Sequence, residues 1–135
     1  MNLYHNSESE VAFDYASVTA NATGNIIDRQ GFEELTFQLV TGAVTTADAD
    51  NTITVALYES DASDMTGETV VAAADILGDL PVINDATTQD DSLLDVGYVG
   101  GKRYVRPKLV IDGTVAANIV MTAIKSDALK MKVSK

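Results

Sequence analysis

Nucleophilic catalysis by serine or cysteine needs a base held beside the nucleophile, most often histidine. The sequence has one histidine, His5, in a short polar stretch with nothing adjacent to fix its ring, and it has no cysteine. Carboxylate pairs are the other common route, and Glu33–Glu34 and Asp90–Asp91 are adjacent in sequence. Neighbours in a strand point to opposite faces, so neither pair would converge on one bond. Asp48, Asp50 and Asn51 in one segment, and Glu59, Asp61 and Asp64 in another, offer the hard oxygen ligands that calcium takes. Neither segment has the residue order of an EF-hand loop. The pair Gly100–Gly101 precedes a strand-like run, which makes it a tight turn and not a phosphate cradle at a helix start. The residues therefore point to a protein that is not an enzyme and that takes no metal and no cofactor.

The residues best suited to recognition lie in GYVGGKRYVRPKLVIDG, Gly97 to Gly113. With strand alternation, Val105, Leu109 and Ile111 share one face, and Tyr104, Arg106 and Lys108 share the other, with Lys102 and Arg103 at the entry. A basic face with one aromatic suits a single nucleic-acid strand. A net charge of −11 opposes that partner at long range, so no nucleic acid is expected. The same face suits carboxylates of another protein, where arginine binds in two-pronged fashion and tyrosine adds rigid contact area. Lys102, Arg103, Tyr104, Arg106 and Lys108, with Lys130 and Lys132 near the C-terminus, are the candidate interface.

Charge is divided along the chain. From Met1 to Gly101 there are eighteen acids and a single base, Arg29; from Lys102 to Lys135 there are eight bases and two acids. Such asymmetry suggests two regions that meet different partners, or copies that meet head to tail. The plainer alternative is that strands fold back and bring the two charge types together on the surface.

The elements that carry these residues are strands. Val, Ile and Thr make up 37 of 135 residues, and such β-branched side chains favour a pleated surface. Val11, Phe13 and Tyr15 alternate with Ala12, Asp14 and Ala16; Leu35, Phe37 and Leu39 alternate in the next run, and Ile53, Val55 and Leu57 after that. Val115 to Ile124 is apolar on both faces and reads as a central strand. Val70 to Leu77 fits either a bulged strand or two helical turns, and Asp79 to Asp95 reads as a long acidic excursion. Gly24 reads as a turn glycine with positive φ. Pro107 cannot donate to a sheet ladder, which predicts an edge strand or a bulge there. The expected fold is all-β, an antiparallel β-sandwich or jelly-roll-like barrel over residues 11–124, with an N-terminal arm (1–10) and a basic C-terminal tail (125–135). The core is predicted from Leu35, Phe37, Leu39, Ile53, Val55, Leu57, Val105, Leu109, Ile111, Ile119 and Met121. Both terminal segments are expected to be dispensable for stability. Residues 1–10 carry no secretory signal, and no run of 18 apolar residues exists to span a membrane, so no membrane is expected.

FEELTFQLVTGAVTTADADNTITVALYESDASD, and further on VGYVGGKRYVRPKLVIDGT, resemble small structural proteins of tailed-bacteriophage heads, of the capsid decoration or cement type. The resemblance runs from about Phe32 to Ile124 and is most specific over Gly97 to Arg106. It implies a non-enzymatic virion protein on the capsid exterior, made in the host cytoplasm, that binds the major capsid protein and clamps neighbouring coat subunits. It also implies a homo-oligomer, a dimer or trimer. A carbohydrate-binding or adhesion module of a virion fibre, and a head–tail junction or tail protein, are the alternatives.

Overall fold

The computed structural model describes residues 6–128. It contains two antiparallel sheets packed face to face, a sandwich and not a closed barrel. The first sheet is built from β1 (Ser7–Val18), β4 (Phe32–Thr45), β7 (Ile76–Leu77), β9 (Leu93–Tyr98) and β11 (Ala116–Ala128), in the spatial order β1-β11-β4-β9-β7. The second is built on β5 (Thr52–Ser60) and β10 (Tyr104–Asp112). Short pieces flank them: β2 (Ala22–Thr23) and β3 (Ile27–Asp28) pair with β10, while β6 (Thr69–Val70) and β8 (Val82–Ile83) pair with β5.

Alternation in the sequence becomes burial between the layers. Leu35, Phe37, Leu39, Ile53, Val55, Leu57, Val105, Leu109, Ile119 and Met121 are all buried as predicted, and Ile111 is half-buried against them. Tyr98, Ile27 and Ile83 also belong to this core. The both-faces-apolar run does form a central strand: β11 lies between β1 and β4. Val70 to Leu77 is neither a continuous strand nor a helix. It holds β6, one 3-10 turn (Ala73–Asp75) and β7, closed by Gly78 at φ 81°. The acidic excursion is pinned to the body at Thr41, whose hydroxyl donates to the Gln89 carbonyl and accepts the Ser92 N–H.

Pro107 sits inside a nine-residue strand with partners on both sides, not at a free edge. The neighbour on one side is broken there, into β2 opposite Lys108–Leu109 and β3 opposite Tyr104–Val105. The Pro107 carbonyl points into the break, where it accepts the Gly24 N–H. In an antiparallel strand a residue's N and O face the same side, so the missing N–H falls where no strand carbonyl needs it. Gly24 has an ordinary φ, contrary to the turn reading, and it is required for a different reason. A Cβ there would lie 2.6 Å from the Ala12 carbonyl oxygen and 2.7 Å from Pro107 Cγ. Next to it, Asn25 donates its backbone N–H to the Ala12 carbonyl and its side-chain amide to the Val11 carbonyl, which covers the outer edge of β1 at its bulge.

The predicted boundaries of arm and tail shift. β1 begins at Ser7, inside the segment assigned to the arm, and β11 continues to Ala128, inside the segment assigned to the tail. The two pair directly, Ser7 opposite Ser126 and Glu8 opposite Lys125. The sequence reading missed this because Glu8, Glu10 and Lys125 look like solvated polar residues until they are placed side by side.

Gly24→Ala should lower unfolding free energy by about 1–3 kcal/mol, because the crowding atoms are backbone and ring atoms that cannot swing away. Gly101→Ala, where a Cβ meets nothing within 4 Å, should stay within about 0.5 kcal/mol. Urea titration of both variants checks the contrast.

Candidate interaction surfaces

The predicted basic face forms on β10, but its charges already have partners within the chain. Arg106 makes a two-pronged bond to Glu68, at 3.0 and 2.9 Å, and Lys108 reaches the same carboxylate at 2.7 Å. Lys108 also lies 4.1 Å from the centre of the Tyr58 ring. Arg103 grips Asp28 through two bonds of 2.9 Å, donates to Gln30 and stacks over Tyr104. Lys102 pairs with Asp61 at 2.9 Å. Lys130 and Lys132 lie outside the described residues, as does His5. The plainer reading of the charge asymmetry thus accounts for these bases: acids from the first two thirds of the chain fold onto bases from the last third.

The Arg106 guanidinium, with help from Lys108, holds the Glu68 carboxyl below its ordinary value of 4.5 in spite of burial. Arg103 does the same for Asp28. The Glu68 cluster is mostly covered, with its three side chains about a fifth to a quarter exposed, whereas the Lys102–Asp61 and Arg103–Asp28 pairs are open to solvent. Exposed pairs of that kind contribute little to stability and leave their charges available to a partner.

Arg29, the one base of the acidic segment, is not part of a recognition face either. Its guanidinium donates to the carbonyls of Phe32, Glu33, Gly100 and Lys102. It lies 5.4 Å from the Tyr98 ring, and so ties the 99–103 turn to the start of β4. Tyr98 is fully buried; its hydroxyl donates to Glu59 at 2.7 Å and accepts the Lys102 N–H. Burial, and then the Glu59 carboxylate, push its pKa up to about 12. Gly100 is needed here for space, since a Cβ would lie 2.5 Å from the Tyr98 hydroxyl.

Sequence reasoning missed the most enclosed ion cluster. The Lys125 side chain is 7% exposed, with its ammonium 3.1 Å from both Glu8 and Glu10 and donating to the Asp28 carbonyl. Burial alone would lower its pKa; the two glutamates outweigh that and raise it. The only signal in the sequence was the spacing of Glu8 and Glu10, two apart and so on one side of a strand.

The carboxylates considered as calcium ligands have other duties. Asp48 accepts from Asn51 and from the Asp50 N–H, Asp64 accepts from the Thr66 N–H, Asp61 holds Lys102 and Glu59 holds Tyr98. Among the described residues no three acids or histidines converge on a common point.

Seen along its length, the sandwich has unlike ends. At one end β1 starts and β11 finishes, and Arg29, Lys102, Arg103 and Lys125 gather there, interleaved with acids. At the other end the 46–51, 84–92 and 112–115 turns meet through the Ala86–Ala47 and Thr114–Asn51 hydrogen bonds. Those turns hold Asp48, Asp50, Asp85, Asp90, Asp91 and Asp112, and no lysine or arginine among the described residues. The fold and these surfaces define an antiparallel β-sandwich with charge polarity along its axis. The sequence matches no known protein family and no curated protein.

Two outcomes follow. Replacing both Glu8 and Glu10 by glutamine leaves the Lys125 charge covered and unpaired; the expected cost of about 3 kcal/mol corresponds to roughly 10 °C of melting temperature. Differential scanning calorimetry at pH 7 checks it. Second, because the Glu68 pKa is depressed on folding, its stabilising share is complete above pH 4.5 and is lost as the pH falls through the folded value. Wild type should therefore lose more stability between about pH 6 and pH 3 than Glu68→Gln does, with both followed by thermal unfolding across that range.

Proposed function

We propose that this protein is a non-enzymatic structural component of a virion that docks on the capsid exterior and ties neighbouring coat subunits together. The observation that carries the reading is the polarity of the sandwich. One end brings together the start of β1, the finish of β11 and the exposed Lys102–Asp61 and Arg103–Asp28 pairs; the turns at the other end hold acids and, among the described residues, no base. A body built this way has a direction. It would set its mixed-charge end against the coat and hold its acidic end outward, where like charge keeps neighbouring copies and other acidic particles apart.

The resemblance of residues 32–124 to small phage head proteins supports the same reading, and so does the division of labour among the bases. Arg106 and Lys108, first read as docking residues, are engaged with Glu68 inside a covered cluster, so they serve the body more than a partner. Lys102 and Arg103 are the members of the set that stand at the mixed-charge end in exposed pairs, with the half-buried Tyr104 ring under the Arg103 guanidinium. They are suited to exchange Asp61 and Asp28 for, or share them with, groups on the coat. Lys130 and Lys132 follow β11 in the sequence.

The test is co-sedimentation with capsids lacking this protein. Replacing Lys102 and Arg103 together by alanine should weaken occupancy about tenfold, and wild-type binding should weaken between low salt and about 0.5 M. Replacing Asp48 and Asp50 by asparagine at the opposite end should leave occupancy unchanged. No binding by wild type, or greater dependence on Asp48 and Asp50 than on Lys102 and Arg103, would overturn the proposal.

A further inference from the structure

The outer face of the first sheet, β1-β11-β4-β9-β7, differs from the outer face of the second. Its central strands present Thr36, Gln38 and Val40 from β4, and Asn118, Val120, Thr122 and Ile124 from β11, alternating with the buried residues between them. Val120 stands opposite Val40, which stands opposite Leu93, so an apolar row crosses three strands. Val120 also faces the bulge of β1 that holds Asp14 and Tyr15, and Tyr15 is two thirds exposed. Val40, Leu93 and Leu77 are 37%, 54% and 56% exposed. Acids flank this row, with Glu34 at one end of β4, Asp14 at the β1 side, and Asp95 and Asp79 beside Leu93, and among the described residues the face has no base.

In a chain of net charge −11 such a face calls for a partner. Interface centres are depleted of charge, whereas ordinary solvated sheet faces are not. We infer that this face packs against the same face of a second copy, related by a two-fold axis. Three considerations select that occupant. Two copies repel through their acids, and this is the surface on which they can meet without placing acid against acid at the centre. A partner attracted by charge would find nothing here to bind. The area is also sufficient: four strands about 4.8 Å apart and about ten residues long present about 600 Å² per copy. Two copies would bury about 1,200 Å², the lower end of stable interfaces. Stacked sheets about 10 Å apart with their strands some 30° off parallel would interdigitate Val40, Val120 and Leu93 with their symmetry mates.

This pairing uses a face away from the mixed-charge end, so it does not rest on capsid docking, and salt separates the two. Self-association opposed by like charge should strengthen as salt rises from about 0.05 to 0.5 M, whereas docking through ion pairs should weaken over that range. Light scattering of the eluting full chain, from about 5 to 200 µM, gives the mass at each salt level. Wild type should approach twice the chain mass at high salt. Val40→Glu and Leu93→Glu should each raise the dissociation constant at least about 50-fold, since every substitution enters the interface twice. Val110→Glu, at a position 44% exposed on the other sheet, should leave the dimer intact. Circular dichroism and melting of each variant report whether it is folded. A wild-type chain that stays monomeric at about 200 µM in 0.5 M salt overturns the inference whatever capsid binding shows. So does Val110→Glu dissociating the pair as strongly as Val40→Glu. A dimer that fails to bind capsids would instead sink the docking proposal alone.

Discussion

The five-stranded sheet depends on a single pairing, that of the first strand with the last. β11 lies inside that sheet, between β1 and β4, and β1 has no other strand partner in it. Until residues 116–128 are in place, β4 lacks one neighbour and β1 has none. Lys125 sits on this seam, with its ammonium 5.5 Å from the centre of the Phe32 ring and bonded among Glu8, Glu10 and the Asp28 carbonyl. It joins three parts of the chain at the rim of the core, so the contact that closes the sheet also closes the space between the layers. Such a pairing spans nearly the whole sequence, and loop closure of that length makes assembly slow compared with local hairpins.

Much of the fold could be read from the sequence because burial imposes a period of two. Leu35–Leu39, Ile53–Leu57 and Val105–Ile111 announced their strands and their inward faces. What could not be read was which strand lies beside which, since period says nothing about partners. That is why Glu8, Glu10 and Lys125 looked like solvated termini, and why Arg106 and Lys108 looked like a free docking face. Glu68 lies 38 residues before Arg106 in the chain and bonds it across the sheet surface. Pro107 taught a related lesson. Its missing N–H was anticipated correctly as a defect in the ladder, but the defect is accommodated by a gap in the neighbour and not by placement at an edge.

The distribution of charge follows from the same folding back. Bases drawn from the last third of the chain pair with acids near one end and across the β10 surface, while the turns of the other end hold acids and, among the described residues, no base. What began as asymmetry along the sequence ends as polarity in space, with a sheet face crossed by an apolar row between the poles. Any partner that approaches thus meets three chemically different surfaces in three directions, each with its own response to salt.

The cover that Asn25 places on β1 bears on how such molecules behave when crowded. A long outer strand with open amides and carbonyls invites extension by the next molecule and so on without limit, which is how soluble sheets turn into fibrils. With the carbonyls of Val11 and Ala12 capped and the strand bulged at that point, growth along the hydrogen-bonding direction is interrupted midway. A contact between copies through side-chain surfaces closes on itself where it is two-fold symmetric, whereas strand addition at a backbone edge leaves a new edge each time.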